Sequence, residues 1–128
     1  MLMKNSSKLL AGTIVLIDFP FTDLSSRKVR PALVLRDQED EDVLLLPIST
    51  TVNATRKDYW IGEKDYKDAA LPVQSCVRFR KLFTLNEKLI IKTFGSFTEQ
   101  TMLKIKREVV DFIEGWEAAV EPPLRPPE

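Results

Sequence analysis

Histidine does not occur anywhere in this chain of 128 residues. Its absence removes the commonest metal ligand and the side chain best poised for general base work near neutrality. Zinc sites of the usual kind, Ser/His/Asp triads and ribonuclease chemistry built on two histidines are therefore excluded. Cysteine is nearly absent too. Cys76 is single, so no intrachain disulfide can form, and the usage fits a reducing cytoplasm. Set between Ser75 and Val77 with no imidazole to activate it, Cys76 reads as a small buried hydrophobe rather than a nucleophile. There is no excess of either charge: Lys plus Arg and Asp plus Glu each number 19, for a net charge of +0. A domain that coats nucleic acid nonspecifically is usually strongly basic, so any nucleic-acid site here must be a local patch. No apolar run is long enough for a membrane span. The opening MLMKNSSK, followed by LLAGTIVLI, orders charge before apolar residues as a signal peptide does. It runs straight into Asp18-Phe19-Pro20-Phe21 with no small-residue cleavage site, so neither a targeting nor a membrane segment is expected.

What is present is an ordinary globular balance. Hydrophobic residues make up 44% and charged residues 30%, enough apolar mass for one domain with a core of its own. Residues 1–11 read as a polar leader, 12–118 as the folded domain, and 119–128 as a proline-rich, extended tail. The stretch 12–37 organises the rest. Its β-branched and apolar density predicts a strand over 13–19, stopped by Pro20. A polar loop over 20–29 holds Arg27 and Lys28, Arg30 follows it, and a second strand runs over 31–35, with Pro31 at its first position where a missing N–H is tolerated. The acidic 37–42, DQEDED, is turn-like and lacks the glycine and final glutamate of a calcium loop.

A third strand is predicted over 43–48, ending at a run of hydroxyls, Ser49, Thr50 and Thr51, whose simplest role is turn chemistry. After a polar loop, 59–61 reads as a short strand and 63–70 as a charged connector. Residues 71–79 then have the Val, Leu and Phe of a strand, with Arg78 and Arg80 two apart and so on one face. Residues 81–85 break the pattern, and 88–94 form the last strand, ending at Gly95. One helix starts near Thr98. Thr98 can cap it with Phe97 and Met102 as a hydrophobic staple, and Ser96 with Glu99 offers a competing capping box. Met102, Ile105, Val109, Phe112, Ile113 and Trp116 recur at three- and four-residue steps, an apolar stripe that must cover the sheet. The sum is a mainly β α+β domain of five to six mostly antiparallel strands, barrel-like or sandwich-like, closed by one C-terminal helix. On composition alone Arg30 could be a loop salt bridge, and Arg78 and Arg80 could pair with the acidic turn.

Several pieces, in order and in spacing over about residues 11–114, resemble the MazF/PemK toxins of bacterial toxin–antitoxin systems. They are the Gly-x-Ile-Val start at Gly12, Phe19-Pro20-Phe21-Thr22-Asp23, Arg30-Pro31-Ala32-Leu33-Val34-Leu35, Pro47-Ile48-Ser49, and Val77-Arg78-Phe79-Arg80-Lys81-Leu82-Phe83-Thr84-Leu85. The resemblance implies an SH3-like antiparallel barrel with a C-terminal helix, a homodimer, and a cytoplasmic, sequence-selective endoribonuclease. That enzyme would cut single-stranded mRNA without metal or other cofactor and be neutralised by a cognate antitoxin. It implies a catalytic role for Arg30, a hydroxyl partner at Ser49 with Thr50 next in line, and a further arginine at Arg78. Where that pattern carries Asp this chain carries Arg80, and where Gly12 is commonly followed by Asp it carries Thr13. The alternative is a non-catalytic protein on the same barrel, such as a gyrase inhibitor of the CcdB type or an antitoxin-binding module.

The chemistry fits arginine. Its planar fork gives two donors to a phosphate and stays charged, which suits Arg30 to clamping phosphate before moving protons. Ser49 or Thr50 can orient the scissile phosphate, while Arg78, Arg80 and Lys81 add positive potential along the groove. Arg27, Lys28 and Phe21 in the first polar loop, and Tyr59 or Trp60 beyond the second, are expected to hold unstacked bases.

Overall fold

The computed structural model of the chain describes residues 9–19, 28–37, 40–51 and 57–119. The predicted strands over 13–19, 31–35 and 43–48 correspond to β1 (Thr13–Phe19), the middle of β2 (Lys28–Asp37) and β3 (Asp42–Ser49). β1 pairs with β2 and β2 with β3, all antiparallel. The acidic turn between β2 and β3 is a turn in fact: Asp40 accepts the Asp42 N–H at 3.1 Å, and Glu41 takes a positive φ of 85°.

Among the described residues four further strands complete a seven-stranded sheet: β4 (Tyr59–Trp60), β5 (Cys76–Val77), β6 (Phe83–Asn86) and β7 (Ile90–Ser96). The order is β4-β5-β3-β2-β1-β7, with β6 alongside the first half of β3. Register shifts in the β1–β7 and β2–β3 pairings add twist and curl the sheet. The curl carries the segment after β4 round to the end of β7, where Tyr66 bridges to Phe97 and the Lys67 N–H donates to the Ser96 carbonyl at 2.8 Å.

The strand count exceeds the five to six expected through β6, and two segments depart from the sequence reading. Only Cys76–Val77 of the predicted strand 71–79 pairs in the sheet. Pro72 cannot donate to a ladder, Val73 is exposed, and the Ser75 hydroxyl donates back to the Val73 carbonyl, so the chain bends before it reaches β3. Residues 81–85 do not break the pattern but lead into β6, whose Phe83 and Leu85 alternate inward around exposed Thr84. A single 3-10 turn, Glu87–Leu89, then opens β7 two residues later than predicted.

Each face of the sheet has its own cluster. On one face Ile14, Leu33, Leu46, Ile48 and Val77 pack against Met102, Ile105 and Val109 of α1 (Glu99–Ala119). Thr98 caps the helix, accepting the Thr101 N–H at 3.1 Å. Phe97 and Met102 are both buried in that cluster, as the staple requires. The competing capping box does not form, since Ser96 belongs to β7 and its N–H donates to Asp68. The apolar stripe covers the sheet only along its first half. Ile105 is fully buried, which contributes roughly 1.5–3 kcal/mol, but Phe112 is 38% and Ile113 55% exposed. The other face holds a smaller cluster of Val15, Ile17, Ala32, Val34, Val43 and Leu45. Among the described residues no helix is long and apolar enough to cross a membrane. Residues 1–8, the loop 20–27 and the proline-rich tail from 120 lie outside the described residues.

Candidate active site

Side chains alternate along a strand and directly opposed residues share a face, so the register decides which residues meet. Leu33 opposes Leu46 and Ala32 opposes Pro47. The same register continued by two residues sets Arg30 opposite Ser49. On its other side Arg30 opposes Ile17, a member of the smaller cluster, which puts Arg30 on the face turned away from the helix. Ser49 opposes Cys76, and Cys76 opposes Trp60. Arg30, Ser49, Cys76 and Trp60 thus form one row across β2, β3, β5 and β4, where the smaller cluster runs out of apolar residues.

A second row lies two residues away on the same face. The Arg78 N–H donates to the Pro47 carbonyl at 2.9 Å, and the β4–β5 register, continued by one residue, sets Asp58 opposite Arg78. Asp58 accepts from the buried Cys76 thiol across 3.6 Å. Asp58, Arg78, Arg80 and Lys81 line a cavity of about 200 Å³. The Nε of Arg78 is buried and has no hydrogen-bond partner among the described residues. Such an atom is rare in folded proteins and is complete only with an acceptor. Arg30 is exposed and Ser49 half-buried. The Ser49 oxygen accepts the Thr51 N–H at 3.0 Å, which uses a lone pair and leaves the hydroxyl proton for an incoming oxygen. Thr50 is exposed, the first residue beyond β3.

Two of the residues expected at the site, Arg80 and Tyr59, stand differently. Arg80 is not on a strand with Arg78. β5 ends at Val77, Arg80 lies in the turn that follows, and its guanidinium sits 5.1 Å above the Phe112 ring of α1. Pairing of Arg78 and Arg80 with the acidic turn is ruled out by topology, because that turn lies at the other end of β3 from Ser49. Tyr59 does not face the Arg30 row: its ring packs on the helix-side cluster and its hydroxyl donates to Asp65 at 2.9 Å. The aromatic on the correct face is Trp60, 44% exposed. Arg27 and Phe21 lie outside the described residues, as does the Lys28 side chain, although Lys28 begins β2. Sequence reasoning missed Asp58, and alternation with Trp60 was the signal that could have found it.

The site's outer strand is held by Asp65. Its carboxylate accepts from Tyr59, from the Thr101 hydroxyl at 2.7 Å and from the Gly62 N–H at 2.7 Å. Burial pushes this carboxyl up, but the bonds from Gly62, Thr101 and Tyr59 outweigh burial and hold it below the usual range. The Tyr59 hydroxyl is pushed up to about 12, first by burial and then by its bond to the Asp65 carboxylate. β4, and with it Asp58 and Trp60, is thereby tied to the first turn of the helix. Among the described residues no group of three or more His, Cys, Asp or Glu side chains could hold a metal ion.

Residues 10–113 match the family described as PemK-like, MazF-like toxin of type II toxin-antitoxin system. No curated protein matches the chain in sequence. The fold resembles that of an endoribonuclease in complex with its cognate antitoxin from a mycobacterial species, at a TM-score of 0.64 and 19% identity over 82% of this chain and 94% of that one. An endoribonuclease from a mycobacterial species gives 0.62 and 20% over 83% and 91%. The Mycobacterium tuberculosis toxin MazF-mt6 gives 0.62 and 16% over 80% and 96%. These identities speak for a shared fold. The family match spans β1 to the middle of α1 and includes both rows of the site, so the chain belongs to the PemK-like, MazF-like toxins of type II toxin-antitoxin systems.

Proposed function

We propose that this toxin is an endoribonuclease that cuts single-stranded mRNA at selected sequences and that a cognate antitoxin neutralises it. The observation that carries the reading is the convergence of Arg30, Ser49 and Arg78 on one sheet face in a chain of this family. Cleavage of RNA by its own 2′-hydroxyl requires that the hydroxyl lose its proton, that charge growing on the phosphoryl oxygens be stabilised, and that the leaving 5′-oxygen gain a proton. Arg30 and Arg78 supply forked donors for the second of these, with Ser49, and Thr50 beside it, orienting the phosphate. Arg80 and Lys81 add positive potential, Trp60 gives a stacking surface, and the loop with Phe21, Arg27 and Lys28 reads bases.

The same cationic surface suits an antitoxin segment of alternating acidic and apolar residues, laid in the groove beside Arg30. The active form is a cytoplasmic homodimer. The test is incubation of purified protein with mixed-sequence RNA in EDTA, followed by mapping of the new ends. Arg30→Ala is expected to lower the rate about 10²–10³-fold, as loss of one transition-state donor does. Intact RNA, or cutting that survives Arg30→Ala, refutes the reading. Growth arrest with whole cellular RNA and accumulating gyrase–DNA adducts would replace it with gyrase poisoning.

A further inference from the structure

Removal of the 2′-hydroxyl proton is the step for which Arg30, Ser49 and Arg78 are poorly suited. Guanidinium groups stay protonated and offer no acceptor, and a serine hydroxyl is a weak base. The chain has no histidine to take their place. Among the described residues one carboxylate lines the cavity with Arg78, that of Asp58. At about 200 Å³ the cavity is smaller than the ~300–1,000 Å³ of drug-sized sites.

The geometry links Asp58 to the phosphate clamp in two short steps. Its Oδ2 lies 3.6 Å from Cys76 Sγ, and Cys76 directly opposes Ser49. Opposed side chains on a sheet start about 4.5–5.5 Å apart, so Ser49, Cys76 and Asp58 follow one another across β3, β5 and the residue before β4. The buried Arg78 Nε on the same cavity calls for an acceptor, and a phosphate oxygen is one. Around Asp58 stand the Cys76 thiol and Arg78 on β5 and the residues just after it, and Arg80 and Lys81 in the following turn. Three of these four groups are cations, which favour a bound phosphate.

We propose that Asp58 is the proton acceptor of the cleavage, an assignment that rests on the endoribonuclease reading. Its carboxylate takes the proton of the 2′-hydroxyl, and the oxygen's electron pair forms the bond to phosphorus. The bond from phosphorus to the 5′-oxygen breaks. That oxygen leaves with the bonding pair and takes a proton from solvent, and Asp58 returns its own proton to solvent. The products are a 2′,3′-cyclic phosphate and a 5′-hydroxyl, with no change of oxidation state.

The experiment measures kcat and KM against pH for wild type, Asp58→Asn, Asp58→Glu and Arg30→Ala on an oligoribonucleotide carrying a mapped cut site. Asp58→Asn is expected to lower kcat about 10²–10³-fold, with KM within about threefold, Tm nearly unchanged, and the acid limb of the wild-type pH profile abolished. Asp58→Glu keeps the carboxylate and is expected to recover part of the rate with a displaced acid limb. Wild-type cutting by Asp58→Asn overturns the proposal. So does an altered choice of cut site at undiminished rate, which would make Asp58 a base reader. If Asp58→Asn fails to fold, an acid limb unmoved in Asp58→Glu overturns it. Folded wild type that leaves RNA intact refutes the endoribonuclease reading itself. Wild type that cuts through Arg30 while Asp58→Asn cuts equally well refutes only the role of Asp58.

Discussion

Asp65 offers the sharpest test of how the site's outer strand is held. It is 8% exposed and accepts three hydrogen bonds on its carboxylate, from Tyr59 at 2.9 Å and from Thr101 and Gly62 at 2.7 Å each. Asp65→Ala removes all three and strands their donors. Bonds to a charged group are worth about 1.5–3 kcal/mol each, but three that share one carboxylate do not add, and deletion relieves the cost of burying the charge. The expected loss is about 3–4 kcal/mol, or about 10–15 °C in Tm for a chain of this size. Urea unfolding checks it: the midpoint should fall with the slope unchanged. Asp65→Asn can still accept on its remaining oxygen and should lose about half as much. The pH dependence has a definite sign. Because the folded carboxyl lies below its unfolded value, the stabilisation is present above the unfolded pKa and disappears as pH falls through the folded one. Wild type should therefore lose stability in acid that Asp65→Asn never had. A loss under about 1 kcal/mol for Asp65→Ala would refute the reasoning and mean that β4 is held by packing alone.

The Tyr59 hydroxyl gives the mirror-image prediction. Raised to about 12 in the folded state from 10.0, it contributes stability that is complete below pH 10 and lost as pH climbs through 12. Tyr59→Phe should remove that part of the alkaline loss, read by unfolding at a series of alkaline pH values, and an identical profile in the two proteins would count against it. At Gly12 the φ of 99° is one that side chains rarely adopt, and an added Cβ would stand 3.1 Å from Met102 Cγ. Gly12→Ala is expected to cost about 1–3 kcal/mol, measured as Tm, and an unchanged Tm would show that the turn into β1 relaxes freely.

The parts of the fold legible in the sequence are those whose pattern is long and buried. β1, β2 and β3 have dense β-branched and aliphatic runs, and α1 carries both a cap at Thr98 and a stripe through Ile105. What escaped was short or borrowed. Phe83 and Leu85 alternate over only four residues, too few to separate a strand from a loop, and β6 exists because β3 offers it an edge. Conversely, the apolar letters of 71–75 outweighed Pro72, whose missing N–H keeps that stretch off the ladder. The helical stripe was legible in period but not in extent. Period states which residues share a face; it does not state where the sheet beneath them ends, and Ile113 lies past that edge.

The site shows the same limit at the level of chemistry. The family resemblance marks Arg30 and Ser49 one at a time, but their relation is a property of the β2–β3 register. Arg78 and Arg80 look equivalent at two-residue spacing only while the strand continues. Once β5 stops at Val77, the main chain turns; both arginines line the cavity, but Arg78 has a buried Nε while the Arg80 guanidinium reaches the Phe112 ring. Asp58 is the converse case, a residue eighteen positions from Cys76 in sequence that a two-residue strand brings to 3.6 Å from its sulfur. A carboxylate absent from the residues around Arg78 in the chain is therefore present beside Arg78 in space. Antiparallel pairing lets a neighbouring strand supply a side chain at a given place in space whenever the two residues share a face. In this molecule that condition depends on Tyr59 pointing into the core, so that Asp58 and Trp60, one residue to either side, both point out.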